Sequence, residues 1–164
     1  MKMIELHENG LDIRFRIREN GVVELADFSS QEVKKAVMEP KDDICYPAVE
    51  IHRSGTGSLN MHAYKNNINQ SSVDFVYENH ELKAQAGGKE LEIVMISPEK
   101  LKAVYHMRLF DGVPAVQTWT EIINEGSEDQ GLTYVSSFMY QGISRGGEKP
   151  YYKKTDIYVP FNSW

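Results

Sequence analysis

The chain has 164 residues, of which 41% are hydrophobic and 26% charged, and its formal net charge is −6. This length and composition suit one globular domain, residues 1–164, with a substantial core. The acidic balance and the lack of a Lys/Arg-rich run exclude the electrostatic footprint expected of a nucleic-acid-binding protein.

Cysteine content and hydropathy indicate the cellular compartment in which the chain is expected. Cys45 is the single cysteine, so an intrachain disulfide is excluded, which fits a reducing environment. Charged residues stand near the N-terminus where a signal peptide requires an apolar stretch. The apolar runs are of strand length, far below the ~20 residues that span a bilayer. The sequence therefore predicts a soluble, cytoplasmic chain with no membrane partner.

Residues 3–28 are predicted to form three successive antiparallel strands. Apolar and charged residues alternate without a break over residues 11–18, as in a half-buried strand. Asn9-Gly10 and Asn20-Gly21 bound this segment. Asn-Gly is the strongest short hairpin signal, because both central turn positions require a positive φ.

Further along the chain, the strongest helical signal covers residues 30–38, with a loop as the alternative. The later segments 91–96, 101–110, 113–123 and 132–140 are predicted strands. Turn residues recur about every ten positions between them, which is typical of a sandwich or a barrel. The predicted fold is all-β, with two antiparallel sheets packed face to face.

Residue types that carry chemistry give few candidates. The histidines lack the spacing of a known metal site, so neither a metal site nor a cofactor is predicted. No pair of carboxylates is marked out for glycosidase chemistry, although Glu121 is the one to inspect. We therefore predict no catalytic residue. The five histidines are His7, His52, His62, His80 and His106.

Aromatic residues beside amides and carboxylates are the remaining candidates, because sugars present flat C–H faces edged with hydroxyls. Trp164 with Asn162 has this composition, and Trp119 with Gln117 and Glu121 is a second option. We predict Trp164, Asn162 and Trp119 as substrate-binding residues. Core packing is the alternative, and it is favoured for Trp119 because that residue lies in mid-strand.

Five short motifs, in this order, resemble the N-terminal β-supersandwich domain of family 36 glycoside hydrolases, the α-galactosidases and their relatives. They are Tyr46-Pro47-Ala48-Val49-Glu50-Ile51, Lys89-Glu90-Leu91-Glu92-Ile93-Val94, Trp119-Thr120-Glu121-Ile122-Ile123-Asn124, Val135-Ser136-Ser137-Phe138 and Tyr158-Val159-Pro160-Phe161-Asn162-Ser163-Trp164. The resemblance implies that this chain is the front part of a larger retaining glycosidase.

In that family, two aspartates on a following (β/α)₈ barrel perform catalysis, and no residue of this chain matches their motifs. The implied partners are the barrel, an α-galactoside or other carbohydrate, and further copies in a homo-oligomer. Trp164 lies in the family-like Pro-x-Asn-Ser-Trp segment and is the best match to an aromatic lent to the sugar pocket. Phe161 stands where the family commonly has His, which leaves the substrate open.

Two other interpretations remain open at this point. The chain is alternatively a stand-alone carbohydrate-binding or assembly module, which lacks a barrel altogether. A third interpretation is an enzyme with an unrecognised site. A barrel-coding continuation of the reading frame after Trp164 supports the accessory domain, and a stop codon there supports the stand-alone module.

Overall fold

The computed structural model describes residues 1–30, 46–57 and 70–140, and 62% of these residues lie in strands against 4% in helix. All strand pairs in this part of the chain are antiparallel. The predicted all-β class is therefore confirmed. In chain order the elements are β1 (Lys2–Glu8), β2 (Leu11–Ile17), β3 (Val23–Ser30), β4 (Ile51–Arg53), α1 (Gln70–Val73), β5 (Val76–Gln85), β6 (Gly88–Ile96), β7 (Leu101–Phe110), β8 (Val113–Asn124) and β9 (Leu132–Val135).

The first sheet has the order β1-β2-β3, as the Asn-Gly pattern predicts. Asn9 and Gly10 have φ values of 51° and 83°, the left-handed conformation that a two-residue hairpin turn requires. Gly21 has a φ of 86°, and a Cβ there would lie 2.9 Å from the Cβ of Val76. This close approach brings the start of β5 beside the first sheet.

The second sheet has the order β5-β6-β7-β8, and a two-stranded sheet pairs β4 with β9. The strand predicted over residues 132–140 was too long, because β9 ends at Val135. Ser136, directly after β9, still contacts the chain directly before β4, because its amide donates to Glu50 O. The Ser136 carbonyl accepts from the Thr120 hydroxyl of β8. The helix predicted over residues 30–38 lies outside the described residues except for Ser30, which ends β3.

The core lies between the first and second sheets. Phe15 of β2 meets Tyr105 of β7 edge to face, with ring centroids 5.7 Å apart. The alternation predicted for β7 is confirmed, since its inward side chains are all buried. The largest fully buried side chains are Tyr105, Phe15, Phe75, Ile13, Ile51, Leu91, Ile93, Leu101, Met107, Leu109, Val22 and Val23.

A buried ion cluster holds β2 to β3 beside this core. The Glu24 carboxylate accepts hydrogen bonds from Arg16 Nε at 2.9 Å and from Arg18 at 3.2 Å. It also accepts the backbone N–H of Tyr46 at 3.0 Å. The Arg16 and Glu24 side chains are each 4% exposed. The cluster thus links β2 to β3 and also holds the backbone at Tyr46 beside them.

Arg53 joins the small β4-β9 sheet to the second sheet. Its guanidinium contacts Asp74 at 3.2 Å and Glu99, in the β6–β7 turn, at 2.7 Å. Burial by itself raises the pKa of Glu99, but hydrogen bonds from its own backbone, Arg53 and Ser97 outweigh burial and hold the pKa below the ordinary value of 4.5. The ionised form of Glu99 is therefore the form that the fold favours.

Glu99 is expected to contribute stability at neutral pH that disappears in acid. Because its folded pKa is depressed, this contribution is present above pH 4.5 and is lost as pH falls through the folded pKa. Solvent screening limits the contribution to about 0.5 kcal/mol. Urea unfolding of wild type and Glu99→Gln should differ by that amount at neutral pH and converge below the folded pKa. A difference that persists in strong acid would contradict this assignment.

Candidate functional site

The outward face of the second sheet carries the polar side chains, because residues of β6 and β7 alternate between core and surface. Leu91 and Ile93 face the core, so Glu90 and Glu92 face outward. His106 lies directly opposite Glu92 in the β6–β7 register, and Trp119 lies opposite His106 on β8. Four neighbouring strand positions thus meet on one face.

His106 is the centre of this cluster. Its ring is 92% buried, although it lies on the face opposite the core. Nδ1 lies 2.9 Å from Glu90 Oε1 and 4.0 Å from Glu92 Oε1. Because an ionised carboxylate only accepts, Nδ1 carries the proton in the bond to Glu90. Both glutamates therefore lie on the Nδ1 side of the ring.

The other ring nitrogen of His106 is in a different position. Nε2 is buried and makes no hydrogen bond within the described part of the chain. Glu121 Oε1 is 3.8 Å from Nε2, too far for a hydrogen bond. The Glu121 side chain is 56% exposed and is free to rotate toward the ring. A single buried imidazole therefore has carboxylates on both of its sides.

Trp119 covers the His106 ring. The two rings are parallel within 5° and their centroids are 4.6 Å apart. Trp119 is half-buried, and it lies on the face opposite the core cluster. Trp119 is therefore not a member of the core cluster among the described residues, and its predicted part in sugar binding stays a prediction. The structure gives Trp119 one covered indole face, packed on His106, and partial contact with solvent.

Two polar residues flank Trp119 on the same strand face. Gln117 and Glu121 stand two residues before and after Trp119, opposite Arg108 and Val104 of β7. These three residues of β8 therefore share one face of the sheet, whereas sugar binding by them stays a prediction. The other predicted binding residues, Asn162 and Trp164, lie outside the described residues, so their part in this group stays a prediction.

Lys83 supplies a cation on this face. Its ammonium group contacts Glu92 Oε2 at 2.5 Å and Glu81 at 3.7 Å. The hydrogen bond to Glu92 raises the pKa of Lys83 above its ordinary value. Because Lys83 contacts Oε2, the second oxygen of Glu92 is left on the His106 side. Lys83 thereby orients the carboxylate as well as neutralising part of its charge.

The remaining described histidines have separate partners. His7 contacts Asp12, and His52 contacts Glu50 while packing on Tyr134. His80 is hydrogen-bonded to the Tyr77 hydroxyl, and burial, followed by the charge of Lys2, lowers the pKa of His80. Within the described ranges, only His106 forms a group with two other residues that could hold a metal ion.

Sequence reasoning missed the group of Glu90, Glu92 and His106. Metal-site motifs are defined by spacing along one segment, whereas these residues lie on two strands. The available signal was the alternation itself. It places Glu90 and Glu92 on one face and His106 on the outward face of the following strand. The alternation does not predict the register between β6 and β7, which places His106 opposite Glu92.

No protein-family model matches the chain, and no curated protein matches it. The resemblance to family 36 glycoside hydrolases therefore stays a prediction. Among the described residues, no helix is long and apolar enough to cross a membrane.

Proposed function

We propose that this chain is the non-catalytic N-terminal β-sandwich domain of an α-galactosidase-like retaining glycosidase. In this role it supports the catalytic barrel and oligomer assembly and presents an aromatic platform to a sugar. The observation that carries the proposal is Trp119, a half-buried indole on a sheet face, backed by His106 and flanked by Gln117 and Glu121. The confirmed all-β fold is consistent with it.

The platform has the chemistry that a sugar requires. An indole packs against the C–H face of a pyranose, while amide and carboxylate groups at its margin bind hydroxyls. Alternate residues of a strand are about 7 Å apart, so Gln117 and Glu121 stand on either side of Trp119 within reach of one ring. The His106 ring behind Trp119 holds the indole in a fixed plane.

The arrangement of carboxylates supports the proposal that this domain is non-catalytic. A glycosidase places two carboxylates across the scissile bond. Among the described residues, Glu90 and Glu121 face each other across the His106 ring, each lying against a different ring nitrogen. The imidazole occupies the space that a scissile bond would need. We therefore assign hydrolysis to a barrel outside this chain.

Sugar binding at Trp119 is the expected result that tests the platform. In a Trp164→Phe background, methyl α-galactoside should change the Trp119 fluorescence and reach saturation. Trp119→Ala should abolish binding measured by calorimetry. Tyr134→Ala is the matched control, since Tyr134 is an exposed aromatic on β9. Equal binding by Trp119→Ala and wild type would contradict the platform.

The accessory role is tested by a hydrolysis assay on the chain and by the reading frame that follows Trp164. The chain should not hydrolyse a nitrophenyl α-galactoside. Hydrolysis that survives repurification and is lost in Glu121→Gln would instead support an enzyme with its own site. A stop codon directly after Trp164 would favour the stand-alone carbohydrate-binding or assembly module, because the platform argument holds for both.

A further inference from the structure

We propose that Glu90, Glu92 and His106 form a binding site for a divalent transition-metal ion, for which Zn²⁺ is the best match. The argument for this site does not rest on the proposed sugar-binding role, although His106, Trp119 and Glu121 take part in both. Its three ligand atoms already lie within 4.8 Å of one another. The argument rests on their separations, on the unpartnered nitrogen of His106 and on the chemistry of the ligands.

The separations suit a shared ion. Zn²⁺ binds nitrogen and oxygen at about 2.0–2.2 Å, so two ligands of a tetrahedral ion lie about 3.3 Å apart. His106 Nδ1 is 2.9 Å from Glu90 Oε1 and 4.0 Å from Glu92 Oε1, values on either side of that separation. One coordination shell would require Glu92 Oε1 to approach Nδ1 by about 0.7 Å and Glu90 Oε1 to move away from it by about 0.4 Å.

The buried Nε2 of His106 gives an independent reason. A histidine that binds a metal through one nitrogen almost always donates the N–H of the other to a carboxylate or carbonyl. When Nδ1 binds the ion it gives up its proton, and Nε2 carries the ring proton instead. Glu121 Oε1, now 3.8 Å from Nε2, is the acceptor within reach. The nitrogen that lacks a hydrogen bond without metal thereby gains one with metal.

The ligand chemistry selects the class of ion. Imidazole favours transition metals, whereas Mg²⁺ and Ca²⁺ prefer shells made of oxygen alone. Two carboxylates and one imidazole leave a fourth tetrahedral position for water. Trp119 shields the ring from solvent on one side. Lys83 contacts Oε2 of Glu92, which leaves Oε1 directed at the site.

Ring-nitrogen NMR on the wild-type chain, without a histidine tag, gives the direct test. Before Zn²⁺ is added, His106 should carry its proton on Nδ1, and at saturation on Nε2, with Nδ1 bound to the ion. Persistence of the Nδ1 proton at saturating Zn²⁺ would overturn the proposal. This measurement requires no substitution, so it does not depend on whether a variant folds.

Affinity measurements identify the ligands. Calorimetry should show that Glu92→Gln and Glu90→Gln each weaken Zn²⁺ binding about 100-fold and Glu121→Gln about tenfold, because loss of an outer partner alone costs 10–100-fold. Glu5→Gln is the control: Glu5 lies on β1 of the first sheet, contacts Arg14 and is absent from the site, so affinity should stay unchanged. Wild-type affinity in the Glu90 and Glu92 variants would overturn the proposal, since binding would then lie at other histidines.

Discussion

Replacing Glu24 with glutamine is expected to lower the free energy of unfolding by about 3–5 kcal/mol, the usual cost of breaking a buried ion pair from one side. Glu24 accepts from Arg16, Arg18 and the Tyr46 amide, and its side chain is 4% exposed. Glutamine has nearly the same shape, but it removes the negative charge and turns one oxygen into a donor. Two guanidinium groups would then face a neutral amide in a site that excludes water.

Urea unfolding followed by circular dichroism measures this loss, with the slope against denaturant unchanged. Glu5→Gln is the matched control, because Glu5 contacts Arg14 on the same sheet at 4.0 Å with both side chains partly exposed. That substitution should change stability by about 0.5 kcal/mol or less. A loss below about 1 kcal/mol for Glu24→Gln would show that water or other groups compensate the arginines.

Replacing Phe15 with alanine is expected to cost about 3–5 kcal/mol, as for other large aromatic residues deleted from a core. Phe15 is fully buried between the sheets and packs edge to face on Tyr105. Tyr105 is also almost fully buried, and burial raises its pKa well above the ordinary value. Removal of the Phe15 ring would leave a cavity between the sheets, and both sheets would lose contact area.

Phe138→Ala is the control for Phe15, because Phe138 is 42% exposed and contacts the partly buried Phe28. It should cost about 1 kcal/mol or less. A double-mutant cycle with Tyr105→Ala should give a coupling energy of about 0.5–1.5 kcal/mol beyond area burial. Equal losses for Phe15→Ala and Phe138→Ala would mean that the two sheets are not held together at this point.

Local patterns in the sequence predict much of this fold. The alternation from Leu101 to Leu109 identifies β7 and its inward face, because a strand places successive side chains on opposite faces whatever its neighbours are. Asn9-Gly10 identifies a hairpin because few other residues adopt two successive positive φ values. In both cases the structure is decided by interactions within a few residues, so the pairing strands need not be known.

The orientation of Trp119 and the extent of β9 could not be predicted in the same way. β8 has apolar residues on both faces: Val116 and Ile122 pack on the core, whereas Ile123 is exposed. Alternation alone therefore does not say which face Trp119 occupies, and pairing with β7 decides it. β9 pairs with β4, and Ser136 directly after β9 bonds to Glu50, a residue 86 positions away in the chain. Pairing between distant parts of the chain leaves no local pattern in the sequence.

The alternation in β6 and β7 ties the outward cluster to the core. A slip of one residue between these strands would turn Leu91 and Ile93 outward and bury Glu90 and Glu92. A slip of two would keep the faces but move His106 away from Glu92. An inserted or deleted residue in either strand would therefore destroy core and cluster together. The chemistry of this surface can change by point substitution without loss of the fold, but not by a change in strand length.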